Sequence, residues 1–318
     1  MAIVSSQEWR ERLSDGSLLW RGLDPQLWRP RSAPPLAILL YAQPFSGSTA
    51  VADCLAQLPG LAGIGPSYEM QWRFASLSDD GRWLPGRRYG HSRGIRSVLE
   101  GSARRAGLSG VVEKSPPNCL RLAAVRQWFA GFERRELVLT RHPLAQWSSA
   151  CQRHWRDGRC YPSWMASWEP CLARVPPELA EVLQRHAVTF ELKLLGLWLL
   201  RAELLRQQMG QQMGQQAMTH WRYEDFTKQP QLFITPLARE LGLCPDASTG
   251  VITVRVKGGS TTKITNRNQQ QLDAMPSEIV RAGLRLLREE LVVALLQQWG
   301  YHPDPGHALP PSTSSLMP

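Results

Sequence analysis

The stretch "LAILLYAQPFSGSTAVADCL" (Leu36–Leu55) joins an apolar run to a turn of small polar residues and then to a helical pattern. Leu36–Tyr41 reads as a buried strand, and Thr49–Leu58 as a helix stopped by Pro59 and Gly60. A helix that starts this way leaves its first amides unpaired and partly positive, which suits an anion, most naturally a phosphate. The loop from Gln43 and Pro44 through Phe45, Ser46, Gly47, Ser48 and Thr49 supplies hydroxyls and one glycine for close backbone approach. It lacks the G-x-x-x-x-G-K-[ST] spacing, so a magnesium-dependent nucleoside triphosphate is not expected there. Phe45 stands where a cation would be expected. The plain alternative is an ordinary Ser/Gly turn with a helix cap.

Outward from this loop the elements alternate. Strands are expected at Gly110–Lys114, Glu136–Thr140 and Met218–Tyr223. Helices are expected at Cys119–Phe129 with Asn118 as cap, from about Leu144, within Glu178–Gln208, at Gln231–Leu241, and at Ser277–Trp299. This pattern predicts an α/β fold with a central parallel sheet covered by helices on both faces, whose ligands collect at the carboxyl ends of the strands. Two stretches interrupt the alternation, at about 71–94 and 153–177. Both are candidate lids or binding loops.

Two further strand ends carry cations. Lys114 in "VVEKSPPN" ends one strand, and Arg141 in "LVLTRHPLAQWSSA" follows the next. Ser149 comes eight residues after Arg141, about two helical turns on. A guanidinium and a hydroxyl so spaced can grip a second phosphate from two sides. Taken singly, Lys114 could be solvated surface, Arg141 a structural ion pair, and Ser149 a helix-face hydroxyl.

Composition bounds the rest. The 318 residues are 43% hydrophobic and 20% charged, with a formal net charge of +10, an ordinary globular balance that favours anionic ligands. The N-terminal "MAIVSSQEWRERLSDG" has no signal-peptide core, which leads to the expectation of a cytoplasmic protein. The apolar run "LKLLGLWLLRAELL" is broken by Lys193, Arg201 and Glu203, so no membrane span is expected. The six cysteines (54, 119, 151, 160, 171, 244) fit no common zinc spacing. Reduced, buried thiols are expected, with Cys151–Cys160 or Cys160–Cys171 disulfides as the disfavoured alternative.

Four segments in order resemble the sulfotransferases that use 3′-phosphoadenosine 5′-phosphosulfate (PAPS), in the branch with bacterial, carbohydrate and tyrosyl-protein enzymes. "QPFSGSTAV" resembles the 5′-phosphosulfate loop P-[K/R]-S-G-[S/T]-T, and "EKSPPNCLRL" the E-K-[S/T]-P-x-N segment. "RHPLAQWSS" is similar to the 3′-phosphate motif R-D-P-x(5)-S, with His142 in place of the acid. "WRYEDFTKQPQLFITPLARELGL" is similar to Y-E-D-[L/F]-x(3)-P and its helix. The agreement runs from about Leu36 to Tyr301.

The resemblance implies one sulfotransferase domain over about 35–302, after an extension at 1–34 and before a disordered tail at 303–318. It implies transfer of a sulfuryl group from PAPS to a hydroxyl or amine of a small-molecule or carbohydrate acceptor, without a metal. Ser46 to Thr49 would cradle the 5′-phosphosulfate, Arg141 and Ser149 would hold the 3′-phosphate, and Tyr223 would approach the adenine. Lys114 would stabilise charge on the leaving phosphate, and Glu69 in "GPSYEMQWRF" is the candidate base; His91 and His154 are runners-up. "VRVKGGSTTK" is a looser match to a second 3′-phosphate loop, with Arg255, Lys257, Gly258 and Lys263 as candidates.

Phe45 departs from the family pattern, which has a cation bridging the leaving oxygen. Lys114, Arg73 or Lys263 are candidates to compensate. A catalytically weak relative that binds the nucleotide as a sensor or scaffold is therefore the second reading. Nucleic-acid binding, motivated by net charge alone, ranks last because no recognised motif supports it. The chain has 13 tryptophans. Those in the two interrupting stretches could stack on a sugar or aryl acceptor, or simply pack those stretches onto the body. Arg82, Arg87, Arg88, Arg93 and Arg96 could draw in an anionic acceptor or form a solvated face.

Overall fold

A computed structural model describes residues 34–63, 68–69, 81–86, 110–158, 161–211, 218–243, 254–256, 259–261 and 268–304. Five parallel strands form its main sheet: β1 Leu36–Ala42, β2 Leu61–Gly63, β3 Gly110–Glu113, β4 Glu133–Thr140 and β5 Thr219–Arg222. Their order is β2-β3-β1-β4-β5, with Leu36 opposite both Gly110 and Glu133. β1 is thus central, and all seven of its residues are buried. The alternation of its side chains divides the core in two. Ala37, Leu39 and Tyr41 face one apolar cluster, and Leu36, Ile38, Leu40 and Ala42 face the other.

Helices cover both faces. On the second face lie α1 (Ser48–Ala56) and residues of α8 (Tyr223–Lys228) and α9 (Gln231–Glu240). The first face carries α2 (Leu122–Trp128), α3 (Pro143–Asp157), the short α4 (Pro162–Met165) and α5 (Trp168–Leu172), α6 (Pro177–His186) and α7 (Phe190–Gly210). A hairpin of β6 (Val254–Val256) and β7 (Gly259–Thr261) lies beside α1. The chain closes with α10 (Asn268–Asp273), α11 (Ser277–Leu287) and α12 (Glu290–Gln298).

Several boundaries differ from the sequence-based expectation. Glu178–Gln208 holds two helices, because the chain leaves the helix at Ala187 and Thr189 caps the next, its side chain accepting from the Leu192 amide. Ser277–Trp299 is likewise two helices, separated by Glu289 in an extended conformation. Asn118 does not cap a helix at Cys119. It sits in a 3₁₀ turn, Pro116–Leu120, where two prolines favour a tight start, and α2 begins only at Leu122. Within 153–177, residues 153–157 end α3 with Trp155 exposed, whereas Trp168 is buried and Trp164 packs against the core. Of 71–94 only 81–86 are described, and Trp83 there is buried.

Four cysteines, 54, 119, 151 and 171, are buried free thiols, so neither disulfide alternative forms. Burial pushes the Cys54 and Cys119 thiols up to about 12 and raises Cys151 and Cys171 as well. No helix among the described residues is long and apolar enough to cross a membrane. No group of three or more His, Cys, Asp or Glu among them could hold a metal ion. The N-terminal extension, most of the tail, His91, Arg73, Arg87, Arg88, Arg93, Arg96, Cys160, Cys244, Lys257, Gly258 and Lys263 lie outside the described residues.

Candidate functional site

The strand order brings three candidate segments to one edge. β3, β1 and β4 are neighbours, so Lys114, the loop 43–49 and Arg141 leave adjacent strands at their carboxyl ends. The chain runs from β1 to β3 on one side and then crosses to β4 on the other, which opens a crevice of the kind where open α/β sheets bind ligands.

The loop is held open by its backbone. Phe45 has a positive φ of 61° and Gly47 a φ of 82°, the latter serving as N-cap of α1. Helical bonding starts where the Ala50 amide donates to the Gly47 carbonyl, 3.0 Å away. The first turn of α1 carries no acidic residue. Gly47 is required on two counts: its left-handed φ, and the ring of Tyr223, which would lie 2.1 Å from an added Cβ. Ser46 Oγ is fully buried without a hydrogen-bond partner. A buried hydroxyl left unsatisfied costs about 1–3 kcal/mol, and an anion in this loop would relieve it.

Arg141 is the hub. Its Nη1 donates to the Phe45 carbonyl at 2.9 Å and to Ser149 Oγ at 3.2 Å. Nε and Nη2 both donate to Asn268 Oδ1, at 3.1 and 2.6 Å, and Nη2 also to Gln271 Oε1. The guanidinium lies over the Tyr223 ring, 5.3 Å from its centroid, and burial lowers its pKa. Arg141 and Ser149 therefore meet as their spacing predicts. Tyr223 packs between Gly47 and Arg141.

Sequence reasoning missed Asn268, Gln271 and Glu224. Glu224 accepts from the His142 amide and from Asn268 Nδ2, both at 2.9 Å, and from the Tyr301 hydroxyl at 3.2 Å. It fastens the turn after β4 to α10 and to the end of the described chain. His142 takes over the capping role of an acid: its Nδ1 accepts from the Leu144 amide, and Nε2 bonds the His302 carbonyl. Burial lowers its pKa, which favours the neutral form this job needs.

Lys114 and Glu69 also meet. The Lys114 ammonium, buried, donates to Glu69 Oε1 at 2.6 Å and to Thr49 Oγ1 at 3.1 Å. Its amide donates to the Tyr68 carbonyl at 2.7 Å, which brings Glu69 to the strand end. Neighbouring Glu113 points to the other face. It accepts from Ser115 Oγ and from Asn118 Nδ2 and shapes the 3₁₀ turn. Burial pushes its carboxyl up to about 7 against these hydrogen bonds. His154, a runner-up base, lies against Phe190 instead, 4.3 Å between centroids.

The Phe45 ring packs against the first apolar cluster. It meets Tyr161 and Trp164 edge-on, at 6.3 and 5.8 Å. Together with Gln43, Trp198 and Arg201 it lines a small crevice. Gln43 Nε2 donates to the Trp198 carbonyl at 3.1 Å, while its Oε1 has no partner. Arg201 lies between Trp83 and Trp164, at 4.3 and 5.0 Å, is 2% exposed, and has Nε and Nη2 unpartnered. Stacking contributes about 2 kcal/mol for a desolvated cation. Burying an ion costs several kcal/mol, and each unmade hydrogen bond about 1–3 more. Stacking alone does not balance that cost. Sequence reasoning placed Arg201 only as a break in an apolar run.

Lys257 and Gly258, which come between β6 and β7 in the sequence, lie outside the described residues. No protein-family profile matches the chain, and no curated protein does. Among solved structures it is similar to a sulfotransferase domain from the curacin biosynthetic pathway, with 17% identity, TM-score 0.42, and coverage of 81% of this chain and 99% of that one. It is also similar to a sulfotransferase from Alicyclobacillus acidocaldarius (15%, 0.40, 84% and 96%). A third is the sulfotransferase domain of the Synechococcus PCC 7002 olefin synthase (16%, 0.37, 89% and 94%).

Proposed function

We propose that this chain binds PAPS and transfers its sulfuryl group to a hydroxyl or amine of a small acceptor. The observation that carries the reading is the meeting of Arg141 with both Ser149 and the Phe45 carbonyl. It joins a guanidinium suited to one phosphate to a helix-capping loop suited to another. The resemblance of the four sequence segments supplies the identity of the nucleotide. The orphaned Ser46 hydroxyl fits a loop that receives oxyanion oxygens.

In this reading Ser46 to Thr49 hold the 5′-phosphosulfate, with Gln43, Pro44 and Phe45 leading into the loop. Arg141 and Ser149 take the 3′-phosphate after Asn268 and Gln271 give up part of their bonding. The acceptor oxygen or nitrogen attacks sulfur, and the bond from sulfur to the phosphate oxygen breaks with its electrons passing to that oxygen. Lys114 lies at the loop beside Thr49 and stabilises the growing charge. Glu69, in contact with Lys114, takes the acceptor's proton.

Phe45 favours a second reading, a nucleotide-binding sensor or scaffold, because its ring is committed to the wall of the crevice and the loop has no cation of its own at this position.

Thermal unfolding with 3′-phosphoadenosine 5′-phosphate, against ATP and AMP, tests the site. At about 100 times its dissociation constant the ligand adds roughly 2.7 kcal/mol. A shift specific to the 3′-phosphorylated nucleotide and lost in Arg141→Ala is expected. Equal shifts with ATP would sink the reading. Transfer of labelled sulfate to any acceptor separates enzyme from sensor.

A further inference from the structure

The donors suited to the second phosphate are occupied by the chain itself. Gln271 Oε1 accepts from Ser149 Oγ at 2.6 Å and from Arg141 Nη2 at 3.2 Å, so one amide oxygen is gripped from both sides. Asn268 Oδ1 accepts from Nε and Nη2 of the same guanidinium, at 3.1 and 2.6 Å. Both residues belong to α10, a helix of six residues none of which is buried. A short helix that buries so little separates from the body at low cost.

The two amides are held differently. Asn268 Nδ2 donates to Glu224 Oε1 at 2.9 Å, and Glu224 also accepts from the His142 amide and the Tyr301 hydroxyl. An ionised carboxylate only accepts, so the Asn268 nitrogen must face Glu224 and its oxygen must face Arg141. Gln271 grips Arg141 through the longer of the two Nη2 bonds. Its oxygen carries only a partial charge. A phosphate oxygen in the same place makes charge-assisted bonds, roughly twice as strong.

We propose that Gln271 is a built-in competitor for the anion: its side-chain oxygen stands between Arg141 and Ser149 in the place of a phosphate oxygen and is displaced by the ligand, while Asn268, anchored by Glu224, stays and keeps Arg141 oriented. This rests on the sulfotransferase reading, in which the ligand is the 3′-phosphate of the nucleotide. Each bond lost as the nucleotide departs is replaced by one to Gln271, so release leaves no bare guanidinium behind. Asn268 is then a positioning residue, and Gln271 sets how tightly the nucleotide is held.

A competitor and a builder of the site give opposite signs when removed. Calorimetric titration of the full chain and its variants with 3′-phosphoadenosine 5′-phosphate, AMP and inorganic phosphate reads that sign. Gln271→Ala is expected to bind the 3′-phosphorylated nucleotide about three- to tenfold more tightly, the net worth of a hydrogen bond exchanged with water, and AMP unchanged. Its melting temperature without ligand should be no higher than that of the unaltered chain. Asn268→Ala is expected to weaken the same nucleotide about tenfold, on the scale of a bond to a charged group. Equal or weaker binding in Gln271→Ala, an equal gain with AMP, or unchanged binding in Asn268→Ala overturns the proposal. If the unaltered chain prefers the 3′-phosphorylated nucleotide to AMP and Gln271→Ala does not strengthen it, only this proposal falls. If neither protein shows that preference, yet Gln271→Ala binds inorganic phosphate more tightly, the competition stands and the sulfotransferase reading falls.

Discussion

The carbonyl of Phe45 and the hydroxyl of Ser149, 104 residues apart in sequence, share one nitrogen of Arg141, at 2.9 and 3.2 Å. The rest of that guanidinium is satisfied by the uncharged carbonyls of Asn268 and Gln271. Among the described residues no carboxylate bonds that guanidinium directly; the Glu224 charge acts on it from beyond Asn268. Asn268→Asp would place a carboxylate on Arg141 and compete with any phosphate. A fall in affinity for 3′-phosphoadenosine 5′-phosphate of about tenfold to a hundredfold is expected, on the scale of one charge-assisted hydrogen bond. Calorimetric titration reads it, and circular dichroism should show the fold retained. Unchanged affinity would mean the anion does not sit on Arg141.

Gly47→Ala meets two penalties, a left-handed φ of 82° and a ring atom of Tyr223 at 2.1 Å. A loss of about 1–3 kcal/mol in denaturant unfolding is expected from the backbone alone, and more with the clash. In a Tyr223→Ala background the cost of Gly47→Ala should shrink, because the steric part disappears and the backbone part stays. Additive losses would place the ring elsewhere.

Lys114→Met tests the charge beside Thr49. In the proposed reaction, sulfuryl transfer from PAPS to the acceptor is expected to slow by about 10²–10³-fold, the usual effect of removing one oxyanion donor, with a much smaller change in KM. A rise in KM alone would reassign Lys114 to binding.

The pH dependence of stability has two opposed parts. Burial pushes the His220 imidazole from 6.5 down to about 4, with the charge of Arg222 adding to the effect. A depressed histidine stabilises the fold above its free value, and that contribution is lost as pH falls from 6.5 toward 4. Its size is about 3 kcal/mol. Glu113, raised from 4.5 to about 7, works the other way and loses its contribution as pH rises through that window. The two slopes oppose between about pH 4.5 and 6.5. In His220→Gln the Glu113 slope is opposed by that of the buried, lowered His142 alone among these groups, so the variant should lose more stability, or gain less, than the unaltered chain as pH rises there. Melting temperatures across this range check it, and parallel curves for the two proteins would refute it.

Much of this architecture was legible in the sequence because local physics carried it. An all-buried run such as Leu36–Ala42, followed by small polar residues and a helix, announces a strand, a loop and a capped helix. The eight-residue step from Arg141 to Ser149 brought the pair into contact because the interval is almost wholly helical. The breaks at Ala187 and Arg288 were not legible, since no glycine or proline marks either join. Asn268 and Gln271 were missed for another reason. Nothing in "NQQQ" distinguishes a surface helix from one docked on a cation more than a hundred residues away. Arg201 was hidden in the same way, as its two tryptophan partners come from separate segments.

The four buried thiols give this protein an internal clock. Cys54, Cys119, Cys151 and Cys171 belong to both apolar clusters, so one face of the sheet cannot come apart without uncovering at least one of them. With proton affinities raised by burial, they are poor nucleophiles while the chain is folded. Once Cys160 and Cys244 are replaced by serine, the rate at which an alkylating reagent marks each remaining sulfur would time the opening of each half of the core. A ligand that clasps the loop and Arg141 together would be seen as a delay, residue by residue, on the face it ties down.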